Sequence, residues 1–284
     1  MKRVFRIISL FSAVASIAGT LHTLRNMALL RNPLNQSPVH IVNPKVSVLI
    51  PARNEAHRIT PTLQSVLAQT YQNLEIVVLD DASTDSTSKV VHDLIKDAPH
   101  ARIVRSMEAL PAGWLGKPWA CQRLGQLATG EIFMFLDADV ILEPEALELC
   151  ISLMHDSELD VMCPYPNQTT ATFSQRLIQP LLHWSWLTTL PLDIAESSKR
   201  PSLTAGNGQI LFITREMYQK IDGHASVKDQ VLEDINVVRQ VKLHGGTGGV
   251  VDGTAIATCL MYNTNQEMIE GYTKSLWNAF GSKS

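Results

Sequence analysis

Five consecutive apolar residues, Ile132-Phe133-Met134-Phe135-Leu136, run directly into Asp137-Ala138-Asp139, and no other stretch restricts the fold as strongly. An unbroken apolar run of this length suits a strand covered on both faces, as in a parallel sheet clothed by helices. Asp-x-Asp at its end puts two hard oxygen ligands at the carboxyl edge of the sheet, where open α/β folds bind their ligands. One such acid is an ordinary turn residue. Two, one residue apart, can hold a divalent cation that carries a diphosphate. The pattern alone is weak, and the stretches around it add weight.

Upstream, residues 46–50 read as a strand that ends in the loop Pro51-Ala52-Arg53-Asn54-Glu55. A helix follows to about Ala68, with Leu63, Val66 and Leu67 at helical spacing. Residues 74–79 form a second buried strand that ends in Asp80-Asp81-Ala82-Ser83-Thr84-Asp85, and a helix over 84–96 is expected to be capped by Ser83 or Thr84. Asp85 suits a turn. Asp80 and Asp81 stand at the same edge as Asp137, where a carboxylate can accept hydrogen bonds from a base or ribose. A third strand, 102–105, leads through a loop containing Gly113-Trp114-Leu115-Gly116-Lys117-Pro118 to a helix over 119–128. Strands and helices alternating at this spacing imply a doubly wound, mostly parallel α/β sheet. Lys117, near a helix start beside Gly116, is placed either to meet a phosphate or simply to be solvated.

Beyond the Asp-x-Asp strand, residues 159–163 read as another strand, and 173–190 as an apolar helix carrying Trp184 and Trp186 that Pro180 should kink or break. Its apolar positions are too many for one narrow stripe, so it lies either in a membrane interface or packed over the sheet. Gly206-Asn207-Gly208-Gln209 precedes a strand over 210–213, and its glycines permit a close backbone approach. Gly223-His224 is expected to end the next helix, with His224 either a proton shuttle or a satisfied core histidine. Val231-Leu232-Glu233-Asp234-Ile235 opens a helix whose buried face is Ile235, Val238 and Val241. Acids suit a first helical turn for the dipole alone.

The 284 residues carry a formal charge of -3, with pI near 6.3, which argues against a nucleic-acid platform. Cys121, Cys150, Cys163 and Cys259 lack metal-ligand spacing and fit buried, reduced thiols in a cytosolic setting. At the amino end, basic residues precede an uncharged run over 7–24, barely the ~20 residues a membrane span needs. An uncleaved anchor over residues 1–30 is preferred. A cleaved signal peptide and an interfacial helix are the alternatives, and flanking basic residues on both sides leave orientation open. Residues 31–45, with Pro33, Pro38 and Pro44, read as a linker.

Pro51-Ala52-Arg53-Asn54-Glu55, Asp80-Asp81-x-Ser83-x-Asp85, Asp137-x-Asp139 and Glu233-Asp234, in that order, resemble the motifs of family 2 glycosyltransferases of GT-A fold. The resemblance spans about 46–281. Gly113-Trp114-Leu115-Gly116-Lys117-Pro118-Trp119-Ala120-Cys121 and Glu270-Gly271-Tyr272-Thr273-Lys274-Ser275-Leu276-Trp277 are similar to the subgroup that glycosylates carotenoids, diaponeurosporenoate-type acids, hopanoids and related lipids. It implies a GT-A domain over 46–264, an amphipathic terminal helix over 265–284, and inverting transfer of a sugar from a nucleotide donor, most commonly a UDP-sugar, assisted by Mn²⁺ or Mg²⁺. The same resemblance makes Asp234 the general base, and Asp139, with Asp137, the metal ligands. Pro51, Arg53, Glu55, Asp80, Asp81, Lys117 and Asp137 then form the donor nucleotide site. Asn207, Gln209 and Glu233 fall in the sugar or acceptor pocket. It also implies membrane association with a cytoplasmic catalytic domain.

The chain departs from the family in three places. It lacks the Gln-x-x-Arg-Trp motif of processive members, so a single transfer is expected. Leu260-Met261-Tyr262 stands where relatives often carry Arg-Met-Tyr, so one phosphate-facing charge is missing. Relatives usually continue into carboxyl-terminal membrane helices, whereas this sequence stops at Ser284, as a short form or a truncated product. A silent lipid- or nucleotide-binding homologue is the competing reading, disfavoured by the four intact acids. A nucleotidyltransferase is disfavoured by the missing Gly-rich, basic amino-terminal loop.

Overall fold

The computed structural model describes residues 2–35 and 43–277; part of the expected linker and the end of the expected terminal helix lie outside them. The strands are β1 (Val46–Ala52), β2 (Leu74–Asp81), β3 (Ala101–Ser106), β4 (Ile132–Leu136), β5 (Val140–Leu142), β6 (Val161–Gln168), β7 (Ile210–Thr214) and β8 (Gly248–Cys259). They form one sheet of order β3-β2-β1-β4-β7-β6-β8-β5. The helices are α1 (Lys2–Leu29), α2 (Ile59–Leu67), α3 (Thr87–Ile95), α4 (Gly116–Leu127), α5 (Ala146–Asp156), α6 (Phe173–Ile178), α7 (Pro180–Thr189), α8 (Leu192–Ala195), α9 (Arg215–Lys220), α10 (Glu233–Leu243) and α11 (Asn265–Leu276).

β3, β2, β1 and β4 are mutually parallel, so β1, β2 and β4 end at one edge. Every residue of β4 is buried, as its apolar run demands. β7 runs antiparallel to β4, with Leu136 opposite Ile210. That reversal brings the residues before β7 beside those after β4. One core lies under α2, α3 and α5, and a second, on the opposite face, under α4, α9 and α10.

Several local expectations shift. α3 starts at Thr87 rather than 84, because Asp85 accepts from the Thr87 N–H and hydroxyl, while the Ser83 hydroxyl accepts from the Asn54 N–H. Neither Ser83 nor Thr84 caps it. α4 begins at Gly116, which puts Lys117 in its first turn. The strand expected at 159–163 runs from Val161 to Gln168. α9 closes at Lys220, and His224 lies in a separate 3₁₀ turn, Gly223–Val227. In α10 Val237, rather than Ile235, joins Val238 and Val241 in the core. Pro180 does break the apolar helix, as the first residue of α7. All four cysteines are free and buried.

α1 is 28 residues long, with a mean hydropathy of 1.8 over its most apolar window, and is long and apolar enough to cross a membrane. Its last turns dock on the protein. Asn26, 1% exposed, donates to the carbonyls of Leu187 (2.7 Å) and Leu190 (2.6 Å) and accepts from the Leu192 N–H. Arg25 pairs with Asp193 and Arg31 with Glu196.

Candidate active site

The acids singled out in the sequence gather at the carboxyl edge because three parallel strands end there. Asp137 follows β4, and its N–H donates to the Gln209 carbonyl at 3.0 Å, a link the antiparallel β7 makes possible. The buried Thr62 hydroxyl of α2 donates to the Ala138 carbonyl and fixes the Asp-Ala-Asp turn from below. Across the crevice, α10 presents Glu233 and Asp234 in its first turn. The crevice is lined as well by Pro51, Lys117, Cys121, Phe135, Gly208 and His224.

Lys117 joins the two sides. Its Nζ lies 2.8 Å from Asp137 Oδ1 and 3.1 Å from Glu233 Oε1. Desolvation works to lower the ammonium, but Asp137 and Glu233 outweigh it and raise its pKa well above the usual value. Burial, with the Glu233 charge beside it, pushes Asp234 up to about 6; Lys117 and the Ile235 N–H offset only part of that. A carboxylate with a pKa of about 6 is ionised at neutral pH yet basic enough to take a proton. Burial and the Asp137 charge likewise push Asp139 up to about 6.

Toward β1 and β2 the loops are interlocked. Thr84 N–H donates to Asn54 Oδ1, and Asn54 and Ala82 adopt left-handed φ values of 58° and 56°. Asp80 is fully buried and accepts from the Ser83 N–H and the Ser88 hydroxyl; burial pulls its carboxyl up, but these bonds hold it below the ordinary range. Asp81 is held by Arg123 at 2.5 Å. Pro51 and Glu55 are half-buried, Arg53 is exposed, and burial raises the Glu55 carboxyl. Asn207 and Gln209 spend their side chains within the protein: Asn207 donates to Gln209 Oε1, and Gln209 donates to the Cys259 sulfur. They brace the floor beneath Asp137. His224 is a satisfied core residue, bonded to the Tyr218 hydroxyl at 2.9 Å and kept neutral by burial, which pushes it down to about 3.

The structure therefore brings Asp137, Lys117, Glu233 and Asp234 together, with Asp139 just behind, and leaves Asp80 and Asp81 paired within the protein at the same edge. Residues 47–221, more than half the chain, match the family model described as glycosyl transferase family 2. The chain belongs to glycosyl transferase family 2. Over 242 residues it is 26% identical to the 4,4'-diaponeurosporenoate glycosyltransferase of Staphylococcus haemolyticus, covering 84% of this chain and 62% of that protein. The chain thus spans less than two thirds of that relative, and only 15% of the chondroitin synthase of Pasteurella multocida. In fold it is similar to a mannosyltransferase from Pyrobaculum calidifontis in complex with GDP-Man and Mn²⁺, with a TM-score of 0.64 and 20% identity over 96% of this chain and 75% of that one. S. aureus TarS in complex with UDP gives a TM-score of 0.56 and 17% identity, over 84% of this chain and 67% of that chain.

Among the described residues, no three His, Cys, Asp or Glu side chains converge as a closed metal site. The donor set is nevertheless right for a cation shared with a diphosphate. Asp139 Oδ1 is buried with no hydrogen-bond partner, and the two neighbouring carboxylates are hard oxygen ligands of the kind Mn²⁺ and Mg²⁺ prefer. Sequence reasoning missed Arg123, the clamp on Asp81. Its signal was a lone cation two turns after Lys117 on a helix of otherwise small and apolar buried residues.

Proposed function

We propose that this family 2 member transfers a single sugar, with inversion, from a nucleotide donor to a hydroxyl or carboxyl of a lipid-like acceptor of carotenoid type. One observation carries the reading: Lys117 ties Asp137 of the β4 edge to Glu233 of α10, so that Asp234 shares a single crevice with Asp137 and Lys117. The relatives' names support the donor and acceptor classes: UDP and GDP-Man occupy structural neighbours, and a diaponeurosporenoate glycosyltransferase covers most of this chain.

In this reading the nucleoside lies over the ends of β1 and β2, against Pro51, Arg53, Glu55 and Asp81, with Asp80 bracing the loop from inside. Asp234 takes the proton from the acceptor hydroxyl as that oxygen attacks the anomeric carbon from the face opposite the nucleotide. Lys117 adds positive charge to the departing diphosphate. Glu233 holds Lys117 and orients the acceptor. Asn207 and Gln209 shape the sugar pocket through the backbone they fix. Asp139 and Asp137 would hold Mn²⁺ or Mg²⁺, which when bound neutralises charge on the leaving group. Residues 46–264 form the catalytic domain. Residues 2–30 anchor it in the membrane, and the terminal helix α11 lies along the interface. A cytoplasmic catalytic domain agrees with four buried reduced thiols and with a nucleotide substrate.

The test offers purified protein in detergent a panel of nucleotide sugars, with and without Mn²⁺, against a hydroxylated carotenoid extract. Metal-dependent consumption of one donor, with a heavier and more polar pigment by mass spectrometry, is the expected result. Donor binding without product from any acceptor would overturn the reading.

A further inference from the structure

α7 is apolar all the way round. At about 100° per residue, Leu181, Leu182, Trp184, Trp186 and Leu187 fall in every quadrant about its axis. A helix of that kind is normally covered on all sides, inside a core or by lipid. The protein does not cover this one: none of the ten residues of α7 is buried. Leu181 is 56% and Trp184 60% exposed, and α6 extends the surface with Phe173 at 74% and Leu177 at 59%. A run of exposed apolar side chains across two successive helices marks a surface that something covers.

What covers it follows from its neighbours. At one end α7 is fastened to α1, the candidate membrane span, because Asn26 donates to the carbonyls of Leu187 and Leu190. At the other end α6 is fastened to the start of α11. Gln175 donates to the carbonyls of Tyr262 and Thr264 at 3.2 and 3.1 Å, and the Thr172 hydroxyl donates to Asn265. α11 has exposed apolar side chains of its own, Ile269 and Leu276, with Trp277 just beyond. The chemistry of the segment suits hydrocarbon. Residues 177–192 hold no Asp, Glu, Lys or Arg. The hydroxyls of Ser185, Thr188 and Thr189 donate to carbonyls of α7 itself, as those of Thr20 and Thr23 do within α1. That satisfies a hydroxyl where water is absent. The two acids that follow, Asp193 and Glu196, are paired with Arg25 and Arg31. Exposed basic residues, Arg176 before the uncharged stretch and Lys199 and Arg200 after it, suit lipid phosphates.

We propose that α6 and α7 lie in the headgroup-proximal part of one leaflet, beside the end of α1, with lipid acyl chains covering their apolar sides. The proposal adds a third contact to the membrane reading of α1 and α11, on which it rests for its setting. Length fixes the depth. Ten residues of helix reach about 15 Å, half of a ~30 Å hydrocarbon core, so α7 cannot span it. The Arg25–Asp193 pair, next to Asn26 and partly exposed, marks the headgroup level that α7 stays close to. Trp184 and Trp186 suit that boundary, with an apolar ring and one polar N–H each. Held by α1, α6–α7 and α11 together, the catalytic domain keeps one orientation on the bilayer instead of swinging on α1.

Phe11→Cys, Met107→Cys, Leu177→Cys, Leu181→Cys and Trp184→Cys are each made in the full chain, whose four native thiols are buried. Each is spin-labelled and reconstituted in vesicles of phosphatidylcholine and phosphatidylglycerol. Collisions with oxygen, which concentrates in lipid, are compared with collisions with a water-soluble nickel chelate. At 177, 181 and 184 oxygen should dominate, with nickel collisions largely lost relative to Met107, which is 72% exposed on a loop. Nickel reaching 181 and 184 as freely as 107 would overturn the proposal. Labels closed to both reagents would overturn it too, because a second copy of the chain would then be the cover. Three separate positions keep the test decisive if one variant fails to fold. Phe11 reports on α1 by itself: lipid there with water at 181 and 184 sinks this contact alone, and the reverse sinks the span reading alone.

Discussion

A β-carbon built on Gly208 would lie 3.2 Å from both the Cβ and the Oδ2 of Asp234. The glycine before β7 is therefore what allows the first turn of α10 to approach this closely. Gly208→Ala forces the Asp234 carboxyl aside by a few tenths of an ångström. Displacement of a reacting group lowers turnover by about 10- to 100-fold. Steady-state kinetics should put that loss in kcat, with donor KM nearly unchanged. Wild-type kcat in this variant would mean that the position of Asp234 has slack and that it is not the base.

Asp234→Asn keeps the shape and removes the base, and transfer should fall by about 10²- to 10⁴-fold while the nucleotide still binds. Because burial pushes Asp234 up to about 6, wild-type kcat/KM should fall as pH drops through about 6, and the variant should lose that limb. The stability effect has the opposite sense. A carboxyl titrating near 4 when unfolded and near 6 when folded favours the protonated native state, so ionised Asp234 costs stability. That cost is absent below about pH 4 and complete above about pH 6. Asp234→Asn should then raise the Tm at neutral pH and leave it unchanged near pH 4.

Lys117→Met leaves Asp137 and Glu233 facing each other without their cation. Removing one preorganised charge from a leaving-group site costs about 10²-fold, expected here mainly in kcat/KM for the donor. Lys117→Arg should recover part of it, since charge rather than shape is needed. Full activity in Lys117→Met would remove the lysine from the site.

Chelation should abolish turnover, and Mn²⁺ or Mg²⁺ should restore it. Asp139→Asn should raise the half-saturating metal concentration by at least about tenfold, because a hard anionic ligand is lost. Titration of activity against metal measures this directly. Metal saturation identical to wild type would exclude Asp139 as a ligand.

Asn26→Leu strips the Leu187 and Leu190 carbonyls of their donor in a buried seam. An unsatisfied buried acceptor costs about 1–3 kcal/mol. Hydrogen exchange in α7 and α8 should therefore accelerate while β1, β2 and β4 keep their protection. Unchanged exchange in α7 would show that α1 does not hold it.

The β4 run reads as a covered strand, because five successive apolar side chains suit a sheet buried on both faces, and all five are buried. Its exit into Asp137 and Asp139, the punctuation of the strand-helix alternation and the break at Pro180 were equally local, written in periodicity and turn chemistry, and so legible in the residues themselves. Which partner each acid would find was not. Asp80 and Asp81 have the same sequence signature as Asp137, yet Ser83 and Ser88 donate to Asp80, Arg123 pairs with Asp81, and Lys117 meets Asp137 on the crevice. The cap expected at Ser83 failed for the same reason: its hydroxyl was claimed by Asn54 from another loop. Glu233 and Asp234 looked like helix-dipole acids until the antiparallel entry of β7 brought Gly208 against them. Spacing along the chain determined the elements; partners distant in sequence decided which side chains were spent on the fold and which were left for chemistry, because a hydrogen bond is satisfied by whatever the folded chain brings within reach.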